Sequence, residues 1–162
     1  MSNCVRIVSW NVNGLKNPIK RKKCLSYLKS QQVHIAFIQE THVTESEAVK
    51  LKRDWVGQIY HSSYSSKKHG VAILVHKNLN CVLIKEQKDE EGRVIYVEAK
   101  INEVKINLCN IYAPNVEDPG FFHKLNKLAG NVGNGYTIIA GDLNQVLDGA
   151  LDETTFSNNT QI

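Results

Sequence analysis

Four strand-like runs in this chain end in clusters of polar residues. The β-rich segment Val5–Val12 leads into Asn11-Val12-Asn13-Gly14, and the apolar run His34-Ile35-Ala36-Phe37-Ile38 closes on Gln39-Glu40-Thr41-His42. Val104–Tyr112 runs into Ala113-Pro114-Asn115, and Tyr136-Thr137-Ile138-Ile139-Ala140 into Gly141-Asp142-Leu143-Asn144. Short apolar runs with β-branched residues read as buried strands. Polar residues gathered at strand ends mark the place where sheet proteins build sites. The pattern therefore restricts the chain to a sheet protein, with these four ends as its candidate site.

The remaining segments fill in the sheet. Asn17-Pro18 predicts a helix start, with Asn17 as N-cap and Pro18 in the first turn. Cys24, Leu25 and Leu28 then share one face and the lysines the other. Thr44-Glu45-Ser46-Glu47 fits a capping box, which predicts a second helix to about Asp54. Gln58–Ser62, Val71–His76, Val82–Glu86 and Arg93–Ile101 read as strands on hairpin-length links, so the middle of the chain reads as an antiparallel meander. A helix near Phe121–Leu128 precedes the last strand, which Gly141 is expected to end. Helices between strands at both ends and a meander between them predict an α/β layered domain of mixed sheet.

Composition excludes some functions. No run approaches the ~18 apolar residues of a membrane span, and no signal peptide opens the chain, so an intracellular protein is expected. Cys4, Cys24, Cys81 and Cys109 form no C-x-x-C pair and read as reduced thiols. Charge is uneven. Residues 1–80 hold 13 Lys/Arg against 4 Asp/Glu, and residues 81–162 hold 7 against 12. Lys20-Arg21-Lys22-Lys23 is either a DNA-phosphate contact or the solvated face of a helix.

The polar ends suggest one chemistry. Glu40 is a lone carboxylate after an apolar strand. Oxygen ligands without Cys or His spacing suit Mg²⁺, which takes one or two carboxylates plus water and substrate phosphate. Phosphodiester hydrolysis needs a cation, a base for water and donors to phosphate oxygens. Glu40 and Asn11 fit the metal role, Asp142 the base, and Asn144 and Tyr112 the donors. Asn13, Gln39 and Asn115 stand close enough in sequence to join them.

Ser9-Trp10-Asn11-Val12-Asn13-Gly14-Leu15, Ile38-Gln39-Glu40-Thr41-His42, Gly70-Val71-Ala72-Ile73-Leu74, Asn110-Ile111-Tyr112-Ala113-Pro114-Asn115 and Gly141-Asp142-Leu143-Asn144 occur in this order. Together they resemble the successive motifs of the endonuclease/exonuclease/phosphatase family. The Gln39–His42 block and the lysine-rich segment after Asn17 are most similar to the endonuclease domain of LINE-type retrotransposons. So is Leu147–Asp152, although Glu153 stands where an arginine is usual. The resemblance implies a four-layered α/β sandwich, mixed sheets flanked by helices, that cleaves DNA with Mg²⁺ or Mn²⁺. It assigns Asn11 and Glu40 to the metal, Tyr112 to the active site, and Asp142 and Asn144 to the nucleophilic water. It further implies a monomer, a nuclear location when genomic DNA is the target, and a longer form fused to a reverse transcriptase.

The family's later Ser-Asp-His block is not found among these residues. The expectation is therefore a partial domain over residues 1–156 with an incomplete second half, a disordered tail over 157–162, and weak or no activity. Three other readings remain open: an apurinic/apyrimidinic or exonuclease III-like repair nuclease, a non-catalytic remnant serving as an interaction fragment, and the same fold acting on a phospholipid or nucleotide phosphate. His69 and His123 carry no motif and are given no role.

Overall fold

The computed structural model describes residues 4–116, 118–130 and 132–144. The sequence expectations on Leu147–Asp152, Glu153 and the 157–162 tail lie outside them. The element order is β1 (Ile7–Asn11), α1 (Pro18–Ser30), β2 (Ile35–Gln39), α2 (Ala48–Asp54), β3 (Gly57–Ser62), β4 (Val71–His76), β5 (Cys81–Lys88), β6 (Val94–Ile101), β7 (Val104–Tyr112), α3 (Pro119–Gly130) and β8 (Tyr136–Asp142).

Local chemistry explains most boundaries. Asn17 Oδ1 accepts the backbone N–H groups of Ile19 at 2.9 Å and Lys20 at 3.1 Å, and Pro18 follows as the first helical residue. The Thr44–Glu47 box also forms, with the Thr44 N–H donating to Glu47 Oε2 at 3.0 Å. That bond holds the Glu47 carboxyl below the usual carboxylate range. The box closes a turn ahead of α2, so the helix itself begins at Ala48. Between β6 and β7, Asn102 and Glu103 both have positive φ, the type I′ geometry of a two-residue hairpin.

Two four-stranded sheets result, in the orders β1-β2-β4-β3 and β5-β6-β7-β8. β1 pairs parallel with β2, β7 pairs parallel with β8, and the other pairs are antiparallel. The single middle meander of the sequence reading is thus corrected. The β3–β4 hairpin joins the first sheet, and β5, β6 and β7 make the second. β4 already has β2 and β3 on its two sides, so β5 finds no free edge there and must start a new sheet.

Three apolar layers hold the sheets between helices. Leu25, Leu28 and Leu51 of α1 and α2 pack on Ala36, Ile38 and Leu74 of the first sheet. Phe37, Ile73 and Val75 meet Ile95, Val97 and Leu108 between the sheets. Phe121 of α3 covers Tyr96, Cys109 and Ile111 on the far side. This is the four-layered α/β sandwich. Burying each large aliphatic side chain contributes about 1.5–3 kcal/mol. Cys24, Cys81 and Cys109 are buried free thiols, and burial pushes Cys109 up to about 11.

Gly141 does not end the last strand. At φ +148° its backbone lies against β7 so closely that a Cβ would fall 1.9 Å from the Ile111 carbonyl oxygen. Only glycine fits there, and the ladder continues to Asp142, opposite Tyr112.

Arg21 corrects another expectation. It is buried on α1, with Nε 2.9 Å from Asp54 Oδ2 and Nη1 donating to the Leu15 and Lys16 carbonyls. It ties α1 to α2 and cannot reach a DNA phosphate. Its hydrogen bond holds the Asp54 carboxyl below its ordinary value. A depressed carboxyl contributes stability above its unfolded pKa and loses it as pH falls through the folded value. Urea midpoints of the parent chain and Asp54→Asn are therefore expected to differ at pH 7 and to converge toward pH 3. A gap unchanged between those pH values would show that the ion pair contributes nothing.

Candidate functional site

Parallel pairing puts the C-terminal ends of β1 and β2 side by side, and likewise those of β7 and β8. The stacked sheets bring these four ends to one rim. Asn11 sits at the end of β1 and Glu40 directly after β2, while Tyr112 and Asp142 end β7 and β8.

Asn11 is the centre of the arrangement. Its Nδ2 donates to Glu40 Oε1 at 3.0 Å and to Asp142 Oδ2 at 3.1 Å. Its Oδ1 accepts the Asn13 backbone N–H at 3.1 Å. A flipped amide would set N–H against N–H, so this bond fixes the orientation. Asn11 therefore presents its NH₂ group to the two carboxylates, and its oxygen, with one bond from Asn13, keeps a second lone pair. The sequence reading made Asn11 a metal ligand. In the structure it also holds two carboxylates together.

Glu40 adopts φ +53° and His42 φ +50°. This loop bonds to two neighbours: the Gly14 N–H donates to the Glu40 carbonyl, and the His42 N–H to the His69 carbonyl. His42 Nε2 lies 3.3 Å from Glu40 Oε2. Tyr112 is 8% exposed, and its phenol is pushed up to about 12 by burial, then by its hydrogen bond to Glu40 and the Glu40 charge. The phenol therefore stays protonated at neutral pH as a donor.

Asn144 is joined to the same rim by two bonds. Its N–H donates to Asp142 Oδ1 at 3.1 Å and its Nδ2 to the Ala113 carbonyl at 2.7 Å. Asp142 thus accepts from both Asn11 and Asn144. Asn13 is exposed, and its carbonyl accepts from Lys20 Nζ at 2.6 Å. Lys22 and Lys23 are exposed on α1. Asn115 lines a cleft of about 360 Å³ with Glu40, His42, His69, Arg93 and Tyr112.

Gln39 is not at the rim. It is 1% exposed, and its Nε2 donates to Asn110 Oδ1 at 2.7 Å between the sheets. Alternation along β2 turns successive side chains to opposite faces, so adjacency to Glu40 did not imply a shared site. His69, set aside in the sequence, lies in the cleft wall with its ring 6.0 Å from that of Tyr112. Arg93 was read as an ordinary strand residue, yet its guanidinium lies over the Tyr112 ring at 5.4 Å. No spacing in the sequence connects either residue with Tyr112.

The donor set suits a hard cation. Two carboxylates accept from the one NH₂ group of Asn11, which brings their oxygens together at a half-buried rim. Mg²⁺ needs one or two carboxylates and keeps several waters. Among the described residues no group of three or more His, Cys, Asp or Glu is placed to hold a metal, as a zinc site would require. Among them, too, no helix is long and apolar enough to cross a membrane.

Comparison with known proteins gives a consistent relationship. The profile of the Endonuclease/Exonuclease/phosphatase family matches residues 8–161. The chain is 27% identical over 145 residues to the transposon TX1 uncharacterized 149 kDa protein of Xenopus laevis, which covers 88% of this chain and 11% of that protein. It is 30% identical over 116 residues to an exodeoxyribonuclease of Bacillus subtilis, covering 68% of this chain and 43% of the relative. The chain thus spans less than half the length of these relatives. The crystal structure of D. rerio TDP2 complexed with a single-strand DNA product superposes with a TM-score of 0.67 at 19% identity, covering 90% of this chain and 62% of that one. That likeness is one of fold.

Proposed function

The chain belongs to the endonuclease/exonuclease/phosphatase family, and on that premise we propose that its rim hydrolyses phosphodiesters of DNA with Mg²⁺, as an endonuclease of retrotransposon type. The observation that carries this reading is the shared donor, one Asn11 amide holding Glu40 and Asp142 together at the ends of both sheets. The sequence similarity to a transposon protein supports the retrotransposon branch.

Glu40 and Asp142 are the residues that would hold Mg²⁺ or Mn²⁺, and the ion would supply charge to offset that of the phosphate. The protein groups divide the rest. Asp142, oriented by Asn11 and Asn144, accepts the proton of the attacking water. Tyr112 keeps its proton and, giving up its bond to Glu40, donates to a phosphate oxygen. Asn144 gives its backbone N–H to Asp142 and one amide N–H to Ala113, so it orients Asp142 and keeps a second amide N–H for a phosphate oxygen. Lys20, Lys22 and Lys23 add a basic face on α1 beside Asn13, suited to the DNA backbone. A nuclear protein acting as a monomer, and joined to a reverse transcriptase in a longer form, fits this reading.

The test is nicking of supercoiled plasmid by the chain in excess over DNA. Slow conversion to open circle is expected with Mg²⁺ and none with EDTA. Nicking that survives EDTA, or that Glu40→Ala leaves unchanged, would overturn the proposal. The similarity to a bacterial exodeoxyribonuclease favours a second reading, repair. Under it, an oligonucleotide duplex with one abasic site would be cut far faster than the intact duplex. Under the first reading the two are cut alike.

A further inference from the structure

The cleft beside Glu40 has a second wall that hydrolysis leaves unused. The loop between β3 and β4 supplies Lys67, Lys68 and His69 to it, with Tyr64 beside them against His69. Tyr64 stacks on the His69 imidazole, with centroids 5.1 Å apart and planes at 29°. Behind His69 stand Tyr112 and Arg93, whose Nη2 lies 3.0 Å from His69 Nε2. His69 Nδ1 lies 2.9 Å from the Glu91 carbonyl oxygen. A carbonyl only accepts, so Nδ1 carries the proton and Nε2 receives the Arg93 N–H. Burial, and then the Arg93 charge, hold His69 below the ordinary histidine range, which agrees with a neutral ring. Both ring nitrogens are thus tied down.

The loop itself is pinned. Ser65 Oγ accepts the Lys67 and Lys68 N–H groups at 3.3 and 3.2 Å. Gly92 has φ +67°, and a Cβ there would fall 2.9 Å from Gly70 N and 3.0 Å from Tyr64 Cβ. Only glycine lets the loop close against the turn before β6. Tyr64 nevertheless remains 47% exposed. Lys68 Nζ lies 5.5 Å from its ring centre, and both Lys67 and Lys68 are exposed. Of the acids near these lysines, Glu91 faces Arg93 at 3.8 Å and Lys124 at 3.5 Å, and Glu40 of the same cleft is held by Asn11 and His42.

A rigid, half-exposed aromatic ring beside two cations matches the needs of an unpaired nucleotide. The base offers a π-face for stacking, and its phosphate takes the cations. Paired bases in a duplex are already stacked and cannot present that face. We propose that Tyr64, Lys67 and Lys68 seat one unpaired nucleotide of the DNA strand flanking the scissile phosphate, its base on the Tyr64 ring and its phosphate on the lysines. This rests on the reading of the rim as a DNA hydrolase site. It predicts a preference for positions where a mismatch, gap or overhang frees a neighbouring base. His69 acts as a positioning residue that fixes the platform from behind.

The test is fluorescence anisotropy with a short labelled single strand and the duplex of the same sequence, using the full chain in EDTA so that nothing is cut. Tyr64→Ala is expected to weaken single-strand binding about tenfold and to leave duplex binding nearly unchanged. Tyr64→Phe keeps parent affinity. Replacing Lys67 and Lys68 by glutamine lowers the slope of log K against log salt by about one. Matched thermal melts of these surface variants confirm that each is folded. Parent-like single-strand binding by Tyr64→Ala would overturn the seat alone, as would an equal loss on duplex. If the parent chain binds neither DNA, the hydrolase reading falls and the seat falls with it.

Discussion

Glu40→Ala and Asp142→Asn are each expected to slow Mg²⁺-dependent nicking by about 10²–10³-fold, with different signatures in a metal titration. Both carboxylates hang from the Asn11 amide, but their surroundings differ. Glu40 is flanked by His42 at 3.3 Å and by the Tyr112 phenol, and its oxygens are committed to charge and orientation. Glu40 is a proposed cation ligand, so its removal should raise the Mg²⁺ concentration for half-maximal nicking steeply, and excess Mg²⁺ should restore part of the rate. Asp142 also accepts the Asn144 N–H. Asparagine keeps its size and one oxygen but cannot take a proton from water, so saturating metal should not rescue Asp142→Asn. Metal occupancy falls in Glu40→Ala, whereas in Asp142→Asn the chemical step stays slow even once the metal is saturating. Full rescue of Asp142→Asn by Mg²⁺ would remove it from the role of base. An unchanged metal midpoint in Glu40→Ala would remove Glu40 from the metal.

Much of this site could be read from residues near strand ends. Asn11, Glu40, Tyr112 and Asp142 each close an apolar run, and parallel pairing in both sheets made those closures meet. The Asn17 cap and the β4 and β7 boundaries were legible because their signals are local. What failed was non-local. The turn from β4 into β5 looks like another hairpin link, and nothing in it records that β4 already has two neighbours. Arg21 sits in a run of lysines, and only the position of Asp54, on another helix, makes it a buried tie. Gln39 adjoins Glu40 in sequence but faces the other sheet. The orientation of the Asn11 amide depends on the Asn13 N–H, a backbone detail that residue type does not carry. The left-handed conformation of Glu40 is likewise set by the bond of its carbonyl to the Gly14 N–H and by that of the His42 N–H to His69.

Asn110 shows why the rim stays assembled, and Asn110→Leu is expected to lower stability by roughly 3–5 kcal/mol. Asn110 lies on β7 of the second sheet and is 0% exposed. Its Nδ2 donates to the Ile38 carbonyl at 2.9 Å and the Ala72 carbonyl at 2.8 Å, on two adjacent strands of the first sheet. Ile38 and Ala72 are cross-strand partners, so one amide bonds to both sides of the β2–β4 pair. Its Oδ1 accepts from Gln39 Nε2 at 2.7 Å. Leucine matches its size but leaves two buried carbonyls without this donor and Gln39 without this acceptor. Each unmet buried group costs about 1–3 kcal/mol, and Gln39 keeps Ser9 Oγ and the Phe37 carbonyl as partial replacements. For a domain of this size the loss corresponds to a Tm lower by about 10 °C. Asn110 stands two residues before Tyr112, and Gln39 one before Glu40, so this bridge fixes the two sheets directly beneath the site. Asn110→Leu should therefore also weaken Mg²⁺ stabilisation of the folded chain, because the two proposed ligands, Glu40 and Asp142, stand on opposite sheets. A variant with an unchanged Tm would show that water satisfies the bridge. A lower Tm with an undiminished Mg²⁺ shift would separate the bridge from the site and leave Asn11 as the sole cross-sheet clamp among the residues argued to act there.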